Sequence, residues 1–490
     1  MIRNGRIKKG VVVFLFIVAI FVRLSLIFVT SSTGDELWLI SMTHNSLTNI
    51  WIGTLADGNA PFNFIYLHFI GALVGHPEKE LVLFRLQSLV FSMIAVGCLW
   101  YLAMLVSNKK VAIVTVLLSL FLPSTVWISV IARHYGLLLL QSTLLFIFYI
   151  RFLQQKKTRD LICYTIVAII GMYTHFYFSL LVVSLSTSFF FEKINNKMLA
   201  KWLVSLLSIS LLFLPLLVSF FNTPQYEISN IHNSLLKIPG SFLAYVTSFL
   251  TLLFLQSQGF LLGYYVIFFS LFLVSVYLFM NGLRLWNKRM MFPFVSSLLI
   301  PPVIILFVSY TVKAVFFVNS LLIFLPAFII ILAQGIQKDF QHKKIATILF
   351  IFCVAIVYVP FLSALYQSTT EFTQPFLYLH SVYKPGDIIL HADMYTFLGA
   401  EYYVKKGVNY GITPTIYTRV TEATHGYKII SVKTIQQTNG RIWYIQPQFY
   451  NFPRAQEAKQ DLDKHFVIKT KAYFKASDVF IYLYEKEHGK

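Results

Sequence analysis

Apolar residues fall in long blocks along this chain. Runs of about 17 to 25, the length that crosses a bilayer as a helix, lie near residues 11–30, 82–106, 111–128, 135–151, 161–175, 176–191, 202–221, 261–283, 292–310, 315–333 and 345–365. The pattern predicts about eleven spans, with segment 241–257 reading either as a further span or as an interfacial helix. Past residue 367 the blocks give way to short mixed elements. Pro385–His391 reads as a turn and strand, Met394–Val404 as a helix and Arg441–Gln446 as a strand; Arg454–His465 is helical and Ser477–Glu485 alternates as a strand. Two domains are expected: a membrane domain over 1–367, with a long first loop at 31–80, and a small soluble α/β domain over 368–490.

Composition supports a membrane protein. The chain is 57% hydrophobic and 12% charged, with a mean hydropathy of +0.70, too apolar for a soluble domain of 490 residues. A net charge of +20 raises the possibility of a nucleic-acid partner, but the basic residues sit in short links between apolar runs. Nineteen Lys and Arg fall on one set of links and only four, Lys79, Arg133, Lys237 and Lys313, on the other. Basic loops stay on the cytoplasmic side, so the N-terminus is expected inside and the first loop and the tail outside. This is the topology of a multi-pass cell-membrane protein. The N-terminal apolar run exceeds a signal-peptide core and no clear cleavage site follows, so it is read as a retained span. The three cysteines, Cys98, Cys163 and Cys353, lie inside apolar runs and imply no disulfide framework.

Asp35 and Glu36 are the first carboxylates in the chain, and they stand where the first span ends. A boundary position explains them by itself, since charges begin where a span stops. The loop they open is longer than most connections and rich in aromatics. Its Leu37, Ile40, Leu47 and Ile50 recur at helical spacing, as in an amphipathic segment lying on a membrane surface.

The order of short motifs resembles the GT-C fold glycosyltransferases that use lipid phosphosugars, the group of the protein O-mannosyltransferases and the aminoarabinose-lipid A transferase. The residues that carry the resemblance are Arg23-Leu24, Gly34-Asp35-Glu36, Asp57-Gly-Asn59-Ala-Pro61-Phe-Asn-Phe-Ile-Tyr66, Phe84-Arg85-Leu86, Ala132-Arg133-His134-Tyr135 and Tyr173-Thr174-His175. It covers residues 20–180 by motif and the other spans by hydropathy alone. The resemblance implies transfer of a sugar, with inversion, from a polyprenyl-phosphate donor to an extracytoplasmic hydroxyl on a glycan, lipid or protein.

Asp35 is then the expected base and Glu36 an assisting or loop-orienting neighbour. Asp57 matches a second acidic position, which the resemblance gives to binding of acceptor or donor sugar; an Asp-Gly turn explains it as well and is the plainer reading. Asn59 replaces a His or Lys of the pattern, and Ala60 replaces its first Pro. Arg133 suits a lipid phosphate because a guanidinium offers paired donors and keeps its proton; interfacial snorkelling is its alternative. Tyr135 and His175 complete the substrate-binding set, with Arg85, Lys237 and Lys313 as weaker phosphate candidates. Arg23 is expected to be structural, reaching outer headgroups. No His or Cys spacing points to a metal, although some members of the group use a divalent ion.

Three rivals remain at this stage. A transporter or lipid flippase predicts ionisable residues lining a path within the spans, and duplicated halves, neither of which the chain displays. A polysaccharide ligase or polymerase has no need of an Asp-Glu pair after span one. A noncatalytic assembly protein would use the tail for binding.

Overall fold

A computed structural model describes residues 9–74, 77–192, 195–222, 262–284, 288–311, 318–342, 344–404, 408–411, 428, 430, 432–435, 440–447, 453–475 and 477–486. The chain divides into two compact units. Among the described residues, one takes the chain up to Ile27 and from Phe84 to Ala364; the other takes Phe28–Leu83 and everything from Leu365.

The first unit is helical. Its elements are α1 (Lys9–Val29), α5 (Pro77–Val106), α6 (Lys109–Phe121), α7 (Pro123–Val130), α8 (Tyr135–Gln155), α9 (Thr158–Thr174), α10 (Phe178–Phe190) and α11 (Asn196–Asn222). After these come α12 (Leu262–Leu283), α13 (Lys288–Thr311), a 3-10 turn at Val318–Phe324, α14 (Leu325–His342) and α15 (Ile345–Val382), whose final turns belong to the second unit. Six helices among the described residues are long and apolar enough to cross a membrane, and α6 with α7 passes the same test only as a pair, bent by 58°. The uninterrupted apolar run at 111–128 is thus a broken helix. Pro123 lacks an N–H and crowds the residue before it, and Leu122 accordingly turns extended at φ −68°, ψ 133°. α8 and α14 are buried along most of their length, with Leu138, Leu145, Ile329 and Ile330 at the centre of the bundle.

The second unit joins the first loop to the tail. The loop forms three short helices, α2 (Gly34–Thr43), α3 (Leu47–Ala56) and α4 (Phe62–Gly71). The expected single amphipathic segment is therefore two helices, interrupted at Asn45-Ser46, where the Ser46 hydroxyl accepts from the Asn49 N–H to cap α3. Leu37, Ile40 and Ile50 turn into the unit rather than towards a membrane surface, and only Leu47 stays exposed.

The tail is a three-layer sandwich. Five strands, β1 (Ile388–His391), β2 (Val408–Gly411), β3 (Ile442–Pro447), β4 (Val467–Phe474) and β5 (Val479–Glu485), are ordered β2-β1-β3-β5-β4. β1 runs parallel to β2 and β3, while β5 is antiparallel to β3 and β4. Period-two alternation sorts the side chains. Trp443, Ile445, Ile481 and Leu483 face the end of α15 and α16 (Met394–Val404); Ile442, Tyr444, Tyr482 and Tyr484 face α18 (Pro453–His465), and a short α17 (Val432–Ile435) joins that second layer.

Candidate active site

Each acidic residue at the start of α2 has a distinct environment. Thr33 is the N-cap: its hydroxyl accepts from the Glu36 N–H at 3.3 Å, and its own N–H donates to Glu36 Oε2 at 2.9 Å. This reciprocal capping box commits the fully buried Glu36 to the helix start. Asp35 lies between them, half-buried, in the first helical turn. There the aligned peptide dipoles favour an anion. The far end of α2 is tied as well. His68 Nδ1–H donates to the Thr43 carbonyl at 2.7 Å, and His44 Nε2 meets the buried carboxylate of Glu80 at 2.7 Å. The Glu80 hydrogen bond raises the His44 pKa against the opposing effect of burial.

The turn before α2 touches the tail. Ser32, 1% exposed, has its Oγ 2.7 Å from the hydroxyl of Tyr403 on α16. A Cβ on Gly34 would stand 2.8 Å from Tyr395 Cδ1 and 3.4 Å from Phe372 Cε2, so glycine is required for this approach.

Asp57 caps α3 ahead of Gly58, which has φ +71°. Asn59 donates to Asp57 Oδ2 at 2.6 Å. Asp57 and Asn59, both expected in the substrate-binding set, form an Asp-Gly turn with this bond across it, half-buried and in the same unit as Asp35.

In the helical unit the arginines differ in kind. Arg23, 1% exposed, donates to Ser129 Oγ at 2.8 Å, to the Leu120 carbonyl at 2.9 Å and to the Ala19 carbonyl at 3.1 Å. It is structural, as expected, but it bonds neighbouring helices instead of reaching headgroups. Arg85 is buried too and donates to the Ile27 carbonyl at 3.1 Å, one of the last four acceptors of α1 that the helix itself leaves open. One turn along α5, the Ser88 hydroxyl donates to the Arg133 carbonyl at 3.2 Å.

Arg133 lies in the turn between α7 and α8, partly buried. The turn is seated on α5 through Gly136, where a Cβ would come within 2.6 Å of the Ser88 carbonyl. Aromatic rings gather around it: Tyr135 against Trp127 at 5.2 Å, and His134 against His175 at 5.3 Å. His175 Nδ1 accepts from the Tyr177 N–H at 3.1 Å, which places its proton on Nε2. Burial, then the neighbouring His175 and Arg133, lowers the His134 pKa. A guanidinium beside imidazole rings is suited to an anionic group.

The structure therefore brings Arg133, His134, Tyr135 and His175 together; Asp35 and Glu36 open α2, and Asp57 and Asn59 form the turn after α3 of the same unit. Lys237 and Lys313 lie outside the described residues, as does segment 241–257. Among the described residues no three His, Cys, Asp or Glu side chains form a set that holds a metal. Sequence reasoning passed over His134, Ser32, Tyr395 and Tyr403. His134 was in view inside its motif, whereas nothing in the sequence links position 32 to position 403.

No protein-family model matches the chain. No curated protein matches it. Solved structures do. ArnT from Cupriavidus metallidurans bound to undecaprenyl phosphate aligns with a TM-score of 0.61 at 11% identity, over 97% of this chain and 98% of that one. Its apo form aligns at 0.59 with the same identity and coverage. The oligosaccharyltransferase AglB from Archaeoglobus fulgidus, in complex with an inhibitory peptide and a dolichol-phosphate, aligns at 0.50 and 11% identity, over 98% of this chain and 75% of that one. The chain thus has the GT-C fold, a polytopic bundle of membrane helices followed by a C-terminal α/β domain.

Proposed function

We propose that this protein is a membrane glycosyltransferase that moves a sugar from a polyprenyl-phosphate carrier to a hydroxyl on the outer side of the cell membrane. The observation that carries the reading is the start of α2, where Glu36 closes the cap with Thr33 and the half-buried Asp35 stands in the first helical turn, where an anion is favoured. Support comes from the structural neighbours, of which ArnT binds undecaprenyl phosphate and AglB a dolichol-phosphate.

The chemistry follows from the residues. The acceptor oxygen attacks the anomeric carbon from the face opposite the phosphate, its bond forms as the bond from that carbon to the phosphate oxygen breaks, and the configuration inverts. The acceptor proton passes to the Asp35 carboxylate, and the electron pair leaves with the polyprenyl phosphate. In the helical unit, Arg133 offers paired N–H donors suited to a phosphate. Asp57 and Asn59 present a carboxylate and an amide to sugar hydroxyls. Arg85 and Arg23 hold the scaffold. The excess of basic residues on one set of links puts the N-terminus in the cytoplasm and both Asp35 and the tail outside.

The test is reconstitution of the purified protein with undecaprenyl phosphates carrying different labelled sugars. The proposal predicts release of undecaprenyl phosphate and one labelled product of inverted configuration. Movement of intact carrier across the bilayer with no cleavage would assign the protein to transport instead.

A further inference from the structure

We infer that the C-terminal domain aims the base: Tyr403 and Tyr395 of α16 are positioning residues that fix the Ser32–Glu36 turn and, through it, Asp35. The inference rests on reading Asp35 as the base, and it assigns the tail a mechanical part in the reaction.

The turn is held at two points by one helix. Ser32 and Tyr403 share a hydroxyl–hydroxyl hydrogen bond of 2.7 Å. The Tyr403 ring is itself fixed, lying parallel to Phe376 at 6.1 Å and 4°, and Phe376 is 1% exposed in the layer that packs on Ile389 and Trp443. Two residues after Ser32, the ring of Tyr395 rests on Gly34 so closely that no other residue fits without displacement. Gly34 is the first residue of α2, and the tyrosine ring explains why it carries no side chain. Asp35 comes next in the chain.

α16 is anchored from behind. Asp393 Oδ1 accepts from the Thr396 N–H at 2.7 Å to cap it, at the carboxyl end of the central parallel strand β1. His391 Nε2 lies 3.0 Å from Asn409 Oδ1, linking that strand end to β2. Rigidity therefore passes from the sheet to α16, from α16 to the turn, and from the turn to the carboxylate. Displacing a catalytic group by about 1 Å costs roughly 100-fold in rate, so a base on a surface turn needs such support.

The test compares Tyr403→Phe, Ser32→Ala and their combination, and separately Gly34→Ala with and without Tyr395→Ala. Transfer rate and KM are measured, together with amide hydrogen exchange across residues 32–36. Tyr403→Phe and Ser32→Ala should each lower kcat by about 10-fold with KM for the carrier unchanged, and the double variant should be no worse than either, because one hydrogen bond is lost in all three. Gly34→Ala should lower kcat by about 100-fold, and Tyr395→Ala should restore part of it by making room. Exchange across the turn should quicken in Tyr403→Phe. Additive losses, a fully active Gly34→Ala, or exchange identical to wild type would overturn the inference. An inactive wild type would sink the reading of Asp35 instead, and exchange would still report whether the clamp exists.

Discussion

Thr33 and Glu36 close a reciprocal cap on α2, each side chain bonded to the other's backbone N–H. Glu36 thus has a structural task that glutamine also performs in such boxes. Glu36→Gln is expected to keep transfer within a few-fold of wild type, whereas Glu36→Ala should lose about 1 kcal/mol of stability with the cap. Thermal unfolding in detergent, read beside a transfer assay, checks both. A Glu36→Gln variant that is stable and inactive would give Glu36 a chemical role.

Arg133 should behave differently from the buried Arg23 and Arg85. Removing a donor aimed at developing charge costs about 10²- to 10³-fold in rate, so Arg133→Ala should lose that much with little change in stability. Arg133→Lys should recover only part, since an ammonium lacks the paired geometry. Single-turnover rates at saturating carrier are the measurement.

Arg23 predicts the opposite profile. Its guanidinium joins α1 to Ser129 and to the Leu120 carbonyl, and loss of such a buried network costs more than about 2 kcal/mol. Arg23→Ala should melt earlier and yield less folded protein. The fraction that folds should transfer at close to the wild-type rate per molecule.

Acidity acts on the tail through two neighbours of opposite sign. Burial drives the His391 pKa from 6.5 down to about 4, opposed by its Asn409 bond. The imidazole's contribution to stability is therefore full above pH 6.5 and is lost as pH falls towards 4. Burial drives the Asp393 pKa from 3.8 up to about 6, partly offset by hydrogen bonds from Thr396. Its contribution is full below pH 3.8 and is lost as pH rises through 6. The two offset each other between pH 4 and 6.5. Asp393→Asn keeps a capping side chain without the buried charge. It should be more stable than wild type at pH 7.5, on the order of 2 kcal/mol, with the advantage gone by pH 4. Thermal unfolding across that range gives the answer, and equal curves would refute it.

Much of the tail was legible in the sequence. Residues 394–404 read as a helix and form one; the strand near 479 follows from alternation, and the strand at 442–447 places Trp443 and Tyr444 on opposite faces of the sheet. β4 was missed because VIKTKAYF is a largely exposed edge strand with lysines at 469 and 471, a pattern that guards an edge rather than advertising a core strand. The capping box is legible as Thr33-Gly-Asp-Glu36, a Thr three residues before a Glu at a helix start. The bend at Leu122 was signalled by Pro123 inside an apolar run. Contacts such as Ser32 with Tyr403 join positions that no local pattern connects.

The account depends most on Asp35. Asp35→Asn preserves size, the helix start and the Thr33–Glu36 cap while removing the base, so the variant should fold and bind undecaprenyl phosphate as wild type does. In reconstituted membranes supplied with the labelled carrier that wild type consumes, its transfer rate should fall by about 10²- to 10⁴-fold. Transfer at the wild-type rate would contradict the account.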